Sequence, residues 1–122
     1  MATVVTNAGL AIITNRIKGS GTEPLYVAWG TGAGTAAVGD TTLFTEASES
    51  RVSGTSTRVT TSQTNDTYQV VGTLTADASK TITNAGLFDA STSGNLFVKG
   101  DFTGVALALG ESIQFTIKVQ FS

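Results

Sequence analysis

Apolar positions along the chain change their spacing twice, and each spacing predicts a different element. Near the start, Leu10, Ile13 and Ile17 recur at intervals of three and four, the period of one helical face. Thr6 or Asn7 can cap the N-terminus, Arg16 and Lys18 suit the C-terminal dipole, and Gly19 stands where a left-handed closing residue belongs. One short amphipathic helix over about residues 7–18 is predicted, packed through Leu10, Ile13 and Ile17. Gly9 opposes it, since glycine costs about 1 kcal/mol against alanine in a helix interior.

Beyond Pro24 the helical period disappears. The short apolar run "LYVAWG", Leu25 to Gly30, reads as a buried strand, and the Gly-rich "GTGAGTAAVGDTT" after it as a loop. "RVSGTSTRVTT" offers little to bury, which suits a polar arm or hairpin over about residues 45–66. Its expected partner is "TYQVVGTLTA", where Tyr68, Val70, Gly72 and Leu74 share a face, with "QTND" as the turn between. Ile82 and Phe88 fall on one side of a further strand, "DASTSGN" turns the chain, and "LFVKGDF" returns it. Ile113, Phe115, Ile117, Val119 and Phe121 then alternate with polar residues without a break, the period of a half-buried strand. That run is expected to be the central core strand.

The pattern adds up to an all-β fold, an antiparallel sandwich or jelly-roll-like domain with one short N-terminal helix, as a single domain over residues 1–122. Composition agrees: Thr and Ser make up about a quarter of the chain, Gly is abundant, and Pro occurs once. β-Branched Thr fits a pleated, half-exposed face and Gly supplies turn dihedrals. "TNAGL" occurs twice, at Thr6–Leu10 and Thr83–Leu87, but one copy leads into a helical pattern and the other into a hairpin. Two uses of one turn-forming or capping sequence explain this better than a duplication.

Charge removes whole classes of function. Only 13% of residues are charged and the formal net charge is −2, so no broad basic surface exists to neutralise phosphates or anionic lipid. Neither nucleic acid nor membrane is an expected partner, and the chain is expected to be soluble as synthesised. Without Cys or His, Ser-His-Asp and Cys-His nucleophiles, disulfides and the commonest zinc ligands are excluded. Glu46 and Glu49 are the nearest pair of carboxylates to a catalytic arrangement, but in a polar loop they are expected to be solvated. The Gly-rich loop lacks the Lys-Ser/Thr ending of a phosphate loop. "DASTSGN" spaces Asp89, Ser91 and Ser93 like a calcium loop, yet its twelfth position is Gly100. No catalytic, metal or cofactor residue is assigned, and no enzyme is expected. Tyr26 and Trp29 could form an aromatic sugar-binding platform, with core packing the plainer reading.

"VTNAGLAIITNRIKGSGTEPLYVAWGTG", "TTLFTEASESR", "TITNAGLFDASTSGNLFVKGDF" and the closing "LGESIQFTIKVQF" together resemble small virion structural proteins of tailed bacteriophages. The "GLFD" turn at Gly86–Asp89 is the most recognisable part, and it resembles both capsid decoration (cement) proteins and attachment domains of tail fibres. The resemblance implies that Asn84 and Gly86 serve backbone geometry in a strand entering a hairpin while Asn7 caps the helix. It further implies a virion protein assembled in the bacterial host cytoplasm. The leading expectation is a cement protein that binds the outer capsid surface and reinforces contacts between major capsid subunits. A tail-fibre or baseplate adaptor is the alternative, and a carbohydrate-binding module the second. The expected partners are the major capsid protein and further copies of the chain, closed into a homotrimer that shields open sheet edges. Ala2, Thr3, Val4, Val5, Arg51 and Arg58 are the expected intersubunit contacts, since arms and termini are free to reach outward.

Overall fold

In the computed structural model, which describes Met1 to Ser122, strand β1 (Thr3–Val5) leads directly into helix α1 (Asn7–Lys18). Thr6 is extended and its Oγ1 accepts the N–H of Gly9 at 2.9 Å, so Thr6 is the cap and Asn7 the first helical residue. This corrects the capping role expected for Asn7. Gly19 closes the helix at φ 90°, where its N–H donates to Arg16 O and that of Ser20 to Asn15 O.

The helix buries a different face from the one its spacing suggests. Gly9 and Ile12 are buried and Ile13 is half-buried, whereas Leu10 is 56% and Ile17 83% exposed. The cause is Gly9: a Cβ there would lie 2.3 Å from the carbonyl oxygen of Phe97. The helix therefore sits with its backbone against the neighbouring strand, and the Leu10–Ile17 stripe turns to the flank.

Seven further strands follow: β2 (Tyr26–Gly30), β3 (Val52–Ser53), β4 (Thr55–Val59), β5 (Thr67–Thr75), β6 (Lys80–Phe88), β7 (Leu96–Leu107) and β8 (Ser112–Gln120). They form two antiparallel sheets, one ordered β1-β7-β6-β2-β3 and one ordered β4-β5-β8. The result is a sandwich with one N-terminal helix. The segment expected as a polar arm or hairpin does not project but runs along the body, and its later part is a hairpin, with β4 paired antiparallel to β5. Its first part packs beside β2, where Ala47 N–H donates to Trp29 O. β3 then extends the larger sheet and β4 the smaller one. Gly54 makes the crossing, with no room for a Cβ beside Val70 Cγ1 at 2.4 Å.

One apolar cluster joins both sheets, drawing Val27, Trp29, Ile82 and Leu87 from the larger and Val70, Leu74 and Val119 from the smaller. Trp29 meets Phe115 edge to face across the core, ring centroids 6.3 Å apart. β8, expected at the centre, is an edge strand that pairs with β5 alone. Its period of two puts one face inward, but alternation carries no information about how many neighbours a strand has. With five strands facing three, Ile113, Phe115 and Ile117 stay half-buried at an open side of the sandwich. No helix is long and apolar enough to cross a membrane.

Candidate functional site

The polar side chains that could carry chemistry are committed to holding loops. Glu49 accepts from Trp29 Nε1 at 2.9 Å, from the Asp77 N–H at 2.9 Å and from Lys80 Nζ, which also donates to Asp77 at 2.9 Å. Burial disfavours its charge, but the bonds from Lys80, Asp77 and Trp29 outweigh that and hold the carboxyl at about 2. Asp77 and Glu49 in turn raise Lys80. A carboxylate so firmly ionised is a clamp, not a proton donor at neutral pH. Glu46 takes a two-pronged bond from Arg51 at 2.9 and 3.0 Å, so the two carboxylates serve separate ion pairs.

Lys99, within the returning run "LFVKGDF", is buried inside β7. Its Nζ donates to Asp40 Oδ2 at 3.0 Å and Thr42 O at 2.8 Å and lies 3.2 Å from the centroid of the Phe44 ring. The Gly-rich loop is thereby tied across the larger sheet. Asn84 helps from β6, accepting the Phe44 N–H and donating to Phe44 O, both at 3.0 Å. Asp101 accepts from the Ala36 N–H at 2.7 Å, and that bond lowers its carboxyl below the usual range. In the "DASTSGN" turn, Asp89 Oδ1 accepts the Asn95 N–H at 2.7 Å. No buried side-chain nitrogen or oxygen lacks a partner, and no three acidic residues converge as metal ligands.

The residues expected to bind partners are dispersed. Tyr26 and Trp29 lie on opposite faces of β2: Trp29 belongs to the inter-sheet core, and Tyr26 packs against the separate cluster of Ala28, Leu43, Phe88 and Leu96. At 1% exposure Trp29 offers no ring face to a sugar, which corrects the aromatic-platform reading. Arg51 is a clamp: it bonds Ala90 O and Ser93 O at 2.9 and 2.6 Å, and its guanidinium stacks 3.5 Å from the centroid of the Phe88 ring. Four of its five N–H donors are spent within the chain and its side chain is 8% exposed, so it is not an arm free to reach a neighbour, contrary to expectation. Arg58 is exposed on β4, an edge strand of the smaller sheet. Ala2–Val5 do not float free, because Thr3, Val4 and Val5 pair with Gly100, Lys99 and Val98, and Ala2 O accepts the Asp101 N–H.

What remains open is surface. A groove of about 500 Å³ runs between β1 and β8, where Val4, Val98, Phe102, Phe115 and Ile117 line the gap between the sheets. A second concavity of about 350 Å³ lies beside α1, formed by Ile13, Ile17, Pro24, Tyr68, Phe97 and Phe121. Leu109 stands 70% exposed on the turn between β7 and β8. Sequence reading missed Leu109 and the groove character of Phe121. A lone Leu between Ala108 and Gly110 and a last apolar residue beyond the paired strand were the available signals.

These features suit protein contacts better than chemistry. No curated protein and no solved structure matches the chain. Residues 1–119 match the model of the family described as Podophage GP4 fiber I protein gp80; the chain belongs to that family, as a tail-fibre component of a tailed-phage virion, which sets the fibre reading ahead of capsid decoration.

Proposed function

We propose that this protein is a non-enzymatic building block of the fibre that works through contacts along its open sheet edges, three copies closing into a ring. The observation that carries this reading is β8, a nine-residue edge strand beside a groove of about 500 Å³, with the inward Ile113, Phe115 and Ile117 only half-covered. An unpaired edge of that length invites strand addition and is a liability unless a neighbour covers it. The outer edges of β1, with Thr3–Val5, and of β4, with Arg58, are the complementary contacts. Cyclic closure would cover such edges in every copy. The partners are other fibre and tail proteins rather than the major capsid protein.

Native mass spectrometry of the isolated chain tests the ring. A trimer mass is the expected outcome, and a monomer at micromolar concentration would sink it. Quantitative mass spectrometry of purified particles tests the location. Fibre stoichiometry means a small fraction of the major capsid protein's copy number, whereas near-equal numbers would return the protein to the capsid surface.

A further inference from the structure

β1 is too short to hold itself in place. It pairs with β7 through Thr3, Val4 and Val5 alone, opposite Gly100, Lys99 and Val98, and a terminal strand of that length frays unless something outside it ties it down. The tie comes from a segment far along the chain, the Gly-rich loop. Gly32 N–H donates to Phe44 O at 2.9 Å, so the loop leaves the body and returns to it at one point, the form of a compact Ω-loop.

Between those ends the loop brackets β1. Before the strand, Asp101 holds both segments with one carboxylate: Oδ2 accepts the Ala36 N–H of the loop at 2.7 Å and Oδ1 the Ala2 N–H at 3.3 Å, while the Asp101 N–H donates to Ala2 O at 2.9 Å. Just beyond the strand, the Asn7 N–H donates to Val38 O of the loop at 2.8 Å. Midway, Lys99 pairs with Val4 through its backbone and sends its side chain to Asp40 and Thr42 of the loop. Only Ala36 and Leu43 are buried between Ala33 and Leu43, so the loop's seating depends on these polar ties.

We infer that the Gly-rich loop and β1 open and close as one unit latched by Asp101, so that β1 is a fixed edge only while the loop is seated. Each segment is bonded to the other or to β7 residues that also hold the other, and release of either leaves the second with too few ties to stay. An edge fixed in advance lowers the ordering cost of contact with a neighbour. That consequence for assembly rests on the ring reading, whereas the coupling of loop and strand does not.

Amide hydrogen exchange by NMR, on the full chain diluted until it is monomeric, tests the coupling in the wild type, Asp101→Asn and Asp40→Asn. Asp40 is the decisive position, because its carboxylate bonds Ala37 and Lys99 and not β1. Rates are taken relative to the core amides of β6, which report global unfolding. Both variants should speed exchange at Ala36 and along Thr3–Val5 by the same factor, about tenfold or more, the size expected for loss of one charge-assisted hydrogen bond. If Asp40→Asn fails to fold because Lys99 is left buried without its counter-charge, Lys99→Met, which removes the charge together with the tie, takes its place. Faster exchange in the loop with β1 unchanged, or no change in either, overturns the coupling. Native mass spectrometry of the same proteins reads assembly: the trimer of each variant should dissociate at a concentration about tenfold higher than the wild type's, following the same loss, and an unchanged trimer would overturn the latch's part in assembly. A wild type that is monomeric throughout removes the ring, while the exchange data still decide the coupling.

Discussion

Gly9 and Glu49 show how single positions decide more than their chemistry suggests. Replacing Gly9 with Ala should raise intrinsic helix propensity by about 1 kcal/mol, yet the new Cβ would lie 2.3 Å from a backbone oxygen that cannot yield. Overpacking outweighs propensity, so Gly9→Ala is expected to lower stability by about 1–3 kcal/mol in urea titration. Glu49 has its folded carboxyl lowered from 4.5 to about 2. The stability it contributes is fully present above the ordinary carboxylate range and is lost as pH falls through about 2. Melting temperature should therefore fall less between pH 5 and pH 2 in Glu49→Gln than in the wild type; parallel curves would show that the clamp is not the titrating group. The sequence disclosed neither role. Gly9 read as a helix-weakening residue and Glu49 as a solvated one, because the Phe97 carbonyl and the Lys80, Asp77 and Trp29 donors come from distant parts of the chain.

At the scale of elements, α1 is the clearest case of correct boundaries with an incorrect face. Thr6, the basic last turn and Gly19 are local signals, and they set the ends of the helix. Which stripe is buried depends on what lies opposite. Ile12→Ala is accordingly expected to cost about 2–5 kcal/mol, while Ile17→Ala should stay within about 0.5 kcal/mol in the isolated protein. Equal losses would mean that the stripe of Leu10, Ile13 and Ile17 packs after all. β8 makes the same point for strands: its alternation correctly marks Ile113, Phe115, Ile117 and Val119 as inward, but its place at the edge follows from sheet order. The amide groups of β8 that point away from β5 should exchange with solvent quickly in the dissociated monomer and slowly in the ring. Fast exchange in both would remove the strand edge as a contact.

The whole molecule is joined by one core. Because Trp29 from the larger sheet meets Phe115 from the smaller one, neither sheet can expose its inner face without the other. Urea unfolding should be a single transition in which fluorescence of Trp29, the only tryptophan, coincides with loss of circular dichroism. Separated transitions would show that the three-stranded sheet opens on its own. At this scale the inequality of the sheets matters most, since five strands over three leave the open side, the groove and the long free edge through which a fibre subunit can meet its neighbours.

The sequence by itself determined the all-β class, the helix ends, the inward face of the last strand and the exclusion of Cys- and His-based chemistry, because each depends on residue type or on spacing within one element. Tertiary structure alone decided which helix face is buried, that Trp29 and Tyr26 part company across β2, that Arg51 clamps a loop, and that β8 lies at an edge. Those outcomes depend on close approach between segments far apart in the chain, and local period carries no record of it.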